Sequence, residues 1–273
     1  MIMNEKQKKR IFNKISKDIK EIKIQGARNV AKKALYAYSL FPQKKTKKIL
    51  FNLRPTEPMV WNVLNKAEKQ GTKKVVKHFD EAQEKINNYV LKLVKNNDII
   101  FTHCHSTNVL NSLIYSKKKK KKFEVYNTET RPLFQGRKTA RELKKEKIKV
   151  TMFVDSAVGI ALSGAQGNKK VKKVFIGADA ITKKGVINKV GSEVLAIIAK
   201  KEKIPLYIIA DSWKFTKKRV PKEQRKLNEV WDNAPKKIKI KNPAFEFIPK
   251  KYIKAIVSEQ GILSYKQFLK KVK

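Results

Sequence analysis

Apolar residues recur at steps of three and four through the first ninety-odd positions, then gather into short runs suited to buried strands. Ile11, Phe12, Ile15, Ile19 and Ile22 fall on one face of a predicted helix. Val30, Ala31, Ala34, Leu35 and Tyr38 repeat the pattern after a break at Gln25-Gly26-Ala27. Pro55 and Pro58 suit a turn and the first turn of a helix carrying Met59, Val63 and Leu64. Ile86, Tyr89, Val90, Leu93 and Val94 build a further amphipathic helix, stopped by Asn96-Asn97. The spacing predicts an N-terminal helical domain over residues 1–97.

From Asp98 the pattern changes. Apolar runs at 99–102, 123–126, 150–154, 174–177 and 206–210 alternate with helical stretches starting near Ser106, Thr139, Ser156 and Ser192. Thr139-Ala140-Arg141-Glu142 has capping-box spacing. Strands separated by helices of this length imply βαβ crossovers and a parallel sheet. The expected fold is therefore α/β, with a Rossmann-like parallel-sheet domain over residues 98–273. In such sheets ligands bind beyond the carboxyl ends of the strands.

Composition narrows the class of protein. Hydrophobic residues make up 41% of 273 positions, enough for a core, and no run of about 18 apolar residues suggests a membrane span. Met1 to Lys6 carry no apolar core or cleavage site of a secretory signal, and the single cysteine, Cys104, excludes an internal disulfide. Both point to a cytoplasmic protein. The formal charge is +43, yet only eight of the 66 basic residues are arginine and the lysines are spread along the chain. Base and bidentate phosphate recognition favour arginine. Nucleic-acid binding is thus expected only as a weak, charge-driven effect.

Three strand ends carry candidate chemistry. Thr102-His103-Cys104-His105-Ser106 places a cysteine where a strand gives way to a helix. There the helix dipole would lower the thiol pKa, although a small buried cysteine fits the same position. With His78 the only other histidine, a closed zinc site is not expected. Asp179, in Gly177-Ala178-Asp179-Ala180, can act as a general acid if a cleft buries it, or can simply cap a turn. Lys214, between Trp213 and Phe215, can hold a phosphate or lie in solvent. Gln25, Gly26, Ala27 and Arg28 open a helix whose amides suit an anion, and Arg54 and Arg131 stand at further element junctions. Nucleotide-binding fingerprints of the P-loop and dinucleotide types are absent.

Several of these segments occur in a telling order. Thr128-Glu129-Thr130-Arg131-Pro132 with Gln135-Gly136 comes first, then Val154-Asp155-Ser156-Ala157 and Gly177-Ala178-Asp179-Ala180-Ile181. Val186-Ile187-Asn188-Lys189-Val190-Gly191, Trp213-Lys214-Phe215 and Ser258–Ser264 follow. Together they resemble the superfamily of translation initiation factor 2B regulatory subunits and their sugar-phosphate isomerase relatives, over residues 22–264. The branch most similar acts on ribose 1,5-bisphosphate. The resemblance implies an intramolecular oxidoreductase that converts ribose 1,5-bisphosphate to ribulose 1,5-bisphosphate, with Cys104 as base and Asp179 as acid. It implies substrate contacts from Gln25, Gly26, Ala27, Arg28, Arg54, Ser106, Thr107, Asn108, Asn188, Lys189 and Lys214. No metal or cofactor is implied, and a homo-oligomer built on dimers, up to a hexamer, is. Arg28 takes the place of a usual glycine, and His105 that of a usual asparagine. The alternatives are a non-catalytic regulatory subunit that binds a nucleotide or sugar phosphate, and a methylthioribose-1-phosphate isomerase.

Overall fold

The computed structural model of the chain describes residues 3–272. The first half is helical: α1 (Glu5–Lys20), α2 (Ala27–Leu40), α3 (Lys44–Leu53), α4 (Pro58–Gln70) and α5 (Thr72–Leu93). Asn4 and Gln7 form a capping box at the start of α1, and Ile15 and Ile19 are buried as its periodicity predicts. Ile22 departs from that face. The helix stops at Lys20, and Ile22 lies in the left-handed region with φ 62°. The apolar faces of α1, α2, α4 and the first half of α5 meet in one core around Val30, Leu35, Met59, Leu64, Val75 and Phe79. Trp213, from the other half of the chain, packs against it.

The alternating half holds strands β1 (Asp98–Thr102), β2 (Phe123–Thr128), β3 (Lys149–Phe153), β4 (Lys173–Ile176), β5 (Ala180–Ile181), β6 (Gly185–Lys189), β7 (Leu206–Ile209), β8 (Phe245–Pro249), β9 (Ala255–Ser258) and β10 (Gly261–Leu263). Between and after them run α6 (Thr107–Lys118), α7 (Gln135–Lys145), α8 (Val158–Ser163), α9 (Ser192–Lys201) and α10 (Tyr265–Lys271). Seven strands form one sheet in the order β10-β9-β7-β4-β1-β2-β3. All pair in parallel except β10, which closes one edge antiparallel to β9. The strand order reverses between β1 and β4, which are paired neighbours, so their following loops diverge from a shared crevice. Ile86, Val90 and Val94 join Ile100, Val125, Phe175 and Ile209 in the core on one face of this sheet. The second half of α5 thus packs on the sheet.

Two details differ from the expected pattern. The capping-box spacing at Thr139 marks no helix start, because α7 begins four residues earlier at Gln135. The Thr139 hydroxyl donates instead to the Cys104 carbonyl over 2.9 Å. An antiparallel sheet, β5-β6-β8, also projects beyond the tip of β4. Its first strand has two residues, too few to leave a periodic signal.

Candidate functional site

The loops after β1 and β4 meet in a cleft of about 1050 Å³, open mouth included. The cleft brings together every residue expected to act: Cys104 and Asp179, then Gln25, Gly26, Ala27, Arg28, Arg54, Ser106, Thr107, Asn108, Asn188, Lys189 and Lys214. Glycine explains how the two loops come so close. A Cβ on Gly177 would stand 2.5 Å from Ser106 Oγ and 2.7 Å from Ser106 Cβ.

Hydrogen bonds hold the Cys104 turn from behind. Cys104 has φ 65°, a left-handed conformation that costs a non-glycine residue about 1–2 kcal/mol. Its N–H donates to Thr130 Oγ1 at 3.0 Å, and the Asp155 carboxylate accepts the backbone N–H groups of Thr130 (2.9 Å) and Arg131 (2.6 Å). The Thr130 and Asp155 motifs therefore shape the turn from outside the cleft. Thr139 spends its proton on the Cys104 carbonyl, so His105 Nδ1 is the donor in its 3.0 Å contact with Thr139 Oγ1. His103 is buried, with Nε2 2.8 Å from the Val190 carbonyl and Nδ1 2.6 Å from Thr128 Oγ1. A carbonyl can only accept, so Nε2 carries the proton, and the ring ties β1 to the residue after Lys189. Burial lowers the pKa of His103, which keeps the ring neutral.

Electrostatics correct one expectation. Burial pushes the Cys104 thiol up to about 12, and Asp179 and Asp155 add to the rise. The His105 N–H and the Lys189 ammonium pull the other way and do not win. The helix dipole is not decisive because α6 starts beyond Ser106, whose Oγ already caps it. In the free protein the side chain is a thiol, not the thiolate expected from its place at a helix start. Burial also raises the pKa of Asp179 against the pull of Lys214 and Arg54, as a proton-holding acid requires.

The cations divide into tied and untied groups. Arg28 donates to Gln83 Oε1 (3.1 Å) and Asp80 Oδ1 (3.2 Å) on α5, while its backbone stands at the start of α2, where Gly26 offers no side-chain cap. Lys214 is buried, not solvated, and donates to the Ala178 carbonyl at 2.6 Å. Asn62 of α4 brackets it by donating to the carbonyls of Trp213 and Phe215. Arg54 is buried too, yet Nε and Nη1 find no partner among the described residues. Asn188 is held by Ser192 Oγ at 2.9 Å. Arg131 lies outside the cleft, over Phe134 and bonded to the Val230 carbonyl.

The sequence reading missed four charged members of the lining: Glu57, Lys138, Arg225 and Glu229. Glu57 sits three residues beyond Arg54, and Arg225 is one of only eight arginines, so both carried a faint signal. Away from the cleft, His78, Asp211 and Glu259 place ligand-type atoms within 4.8 Å of one another. Each is already engaged: His78 with Asp211, Asp211 with the Trp213 N–H, and Glu259 with Ser212.

Fold and cleft together define a class: a helical layer on a Rossmann-like sheet, with a carboxyl, a thiol and cationic side chains at the switch point. Residues 17–265 match the initiation factor 2 subunit family. The chain belongs to that family. Among curated proteins it is 33% identical to the ribose 1,5-bisphosphate isomerase of Methanocaldococcus jannaschii, over 93% of this chain and 91% of that one. It is 31% identical to the protein of the same name from Thermococcus kodakarensis, over 91% and 89%. A methylthioribose-1-phosphate isomerase of Thermosipho melanesiensis is 29% identical over 96% and 89%. Among solved structures, a translation initiation factor eIF-2B of Pyrococcus horikoshii superposes with a TM-score of 0.83 at 26% identity, covering 96% of this chain and 98% of that one. No helix of the described residues is long and apolar enough to cross a membrane.

Proposed function

We propose that the chain is an aldose–ketose isomerase acting on ribose 1,5-bisphosphate to give ribulose 1,5-bisphosphate. One observation carries the reading: Cys104 and Asp179, from neighbouring strand tips, line a single cleft with Arg54, Lys189 and Arg225. The isomerase relatives support the substrate class. Asp179, protonated, gives its proton to the ring oxygen as the ring C–O bond breaks. Cys104 takes the C2 proton, leaving an enol between C1 and C2. The thiol then returns that proton to C1, and the C2 hydroxyl proton passes to Asp179 as the ketone forms. Lys189 and Asn188 stand where charge develops on oxygen. The untied guanidinium edge of Arg54, Arg225 and the amides opening α2 receive the phosphates. The thiolate forms only in the complex, where Cys104 passes its proton to the Asp179 carboxylate so that the pair holds one proton throughout; the neutral Asp179, Lys189 and the backbone N–H of His105 then favour it.

We propose further that the chain assembles as a homo-oligomer built on dimers. Val194 and Ile197 on α9 and Phe247 on β8 are exposed apolar side chains of adjoining elements. A second functional reading, a non-catalytic regulatory subunit that binds a sugar phosphate or nucleotide, is favoured by the resting thiol. Incubation with ribose 1,5-bisphosphate followed by NMR decides between them. Appearance of the ketose is the expected result; unchanged substrate at stoichiometric enzyme sinks the isomerase.

A further inference from the structure

Glu57 is the least expected residue of the cleft. Its side chain is 1% exposed, and it is a carboxyl among the groups expected to hold an anion. Its only polar contact is a single 3.4 Å approach of Oε1 to Arg54 Nη2, and Oε2 has no partner among the described residues. A true guanidinium–carboxylate pair closes to about 2.7–2.9 Å, usually through two bonds. Glu223, from the loop after β7, takes the Thr56 hydroxyl at 2.7 Å and approaches the same Nη2 at 3.4 Å. Arg54 therefore keeps two buried N–H-bearing atoms free, beside a carboxyl oxygen that is equally free.

We propose that Glu57 enters the ligand complex as a neutral carboxylic acid, donating its O–H to the phosphate that Arg54 holds, so that in alkaline solution, where the free carboxyl is ionised, each ligand bound carries one proton into the site. This rests on the reading that the cleft takes a phosphorylated ligand. As a carboxylate, Glu57 would repel the phosphate and compete with it for Arg54. As an acid it turns an opposed neighbour into a donor. The groups that face it come from three segments: Arg54 and Thr56 on its own loop, Asp179 beyond β4, and Lys214 and Glu223 beyond β7. Burial, Asp179 and Glu223 favour the neutral form; Arg54 and Lys214 oppose it, and its pKa stands raised to about 8. Lys189, also in the cleft, has a pKa lowered by burial, so a variant must separate its titration from that of Glu57.

Calorimetric titration of the full chain with ribulose 1,5-bisphosphate and, separately, inorganic phosphate tests this at pH 7–9.5 in buffers of different ionisation enthalpy. Wild type should take up little at pH 7 and close to one proton per ligand from about pH 9, where the dissociation constant should rise about tenfold per pH unit. Glu57→Gln should bind without that uptake, with only the dependence that Lys189 contributes. Glu57→Asp should restore the dependence. From about pH 9, near-zero uptake by wild type, which needs no variant to fold, overturns the proposal, as does full uptake by Glu57→Gln. Binding of phosphate but not of the bisphosphate would sink the sugar reading and leave this one standing; binding of neither overturns both.

Discussion

Lys214 Nζ donates to the carbonyl of Ala178 across 2.6 Å, joining the segment after β7 to the residue that precedes Asp179. The same ammonium pulls the pKa values of Asp179 and Glu57 downward, so one buried cation steadies the Asp179 loop and tunes both carboxyls. Lys214→Met leaves the Ala178 carbonyl unpartnered and the acids less opposed. Urea unfolding should show a loss of about 1–3 kcal/mol. Unchanged stability would mean that the contact contributes nothing.

Cys104→Ser removes the proposed base while keeping size and shape. Turnover should fall by about 10²–10⁴-fold, with bisphosphate affinity and thermal midpoint near wild type. Near-normal turnover would remove Cys104 from the chemistry.

The free thiol is held at about 12 by burial, so it should resist alkylation. Modification by iodoacetamide, followed by mass spectrometry, should stay slow through pH 9 and climb only above about pH 10. Rapid labelling at pH 7 would show a thiolate in the free protein.

Gly177→Ala drives a methyl group into Ser106 and parts the loops that carry Cys104 and Asp179. Turnover should fall about tenfold or more, since small misplacements of reacting groups are costly. Adding Ser106→Gly removes both clashing atoms and should recover part of it, a coupling that two independent sites would not show.

Glu57 also shapes stability against pH. Its folded pKa, raised from 4.5 to about 8, means that the folded state holds the proton more tightly than the unfolded chain. Its contribution is fully present below about pH 4.5 and is lost as pH rises through 8. Urea midpoints at pH 5, 6.5 and 8 should decline less for Glu57→Gln than for wild type. Parallel declines would assign the loss to other groups.

Much of the α/β half was legible in the linear chain because strand and helix periods differ. The runs at 99–102 and 206–210 became β1 and β7, and Ser106 caps α6. The ordered motifs likewise located the cleft, since residues at strand tips converge wherever a parallel sheet changes direction. Thr139 misled because a capping-box pattern says nothing about a carbonyl waiting across a loop. Protonation was the larger gap. A helix start beside Cys104 suggested a thiolate, but burial by residues far apart in the chain outweighs that local field. Glu57 passed unseen for the same reason. Local order, meaning which segments fold and where their ends fall, is written in neighbouring residues. Charge state, and hence chemistry, depends on how much water the packed chain excludes, which only the tertiary structure decides.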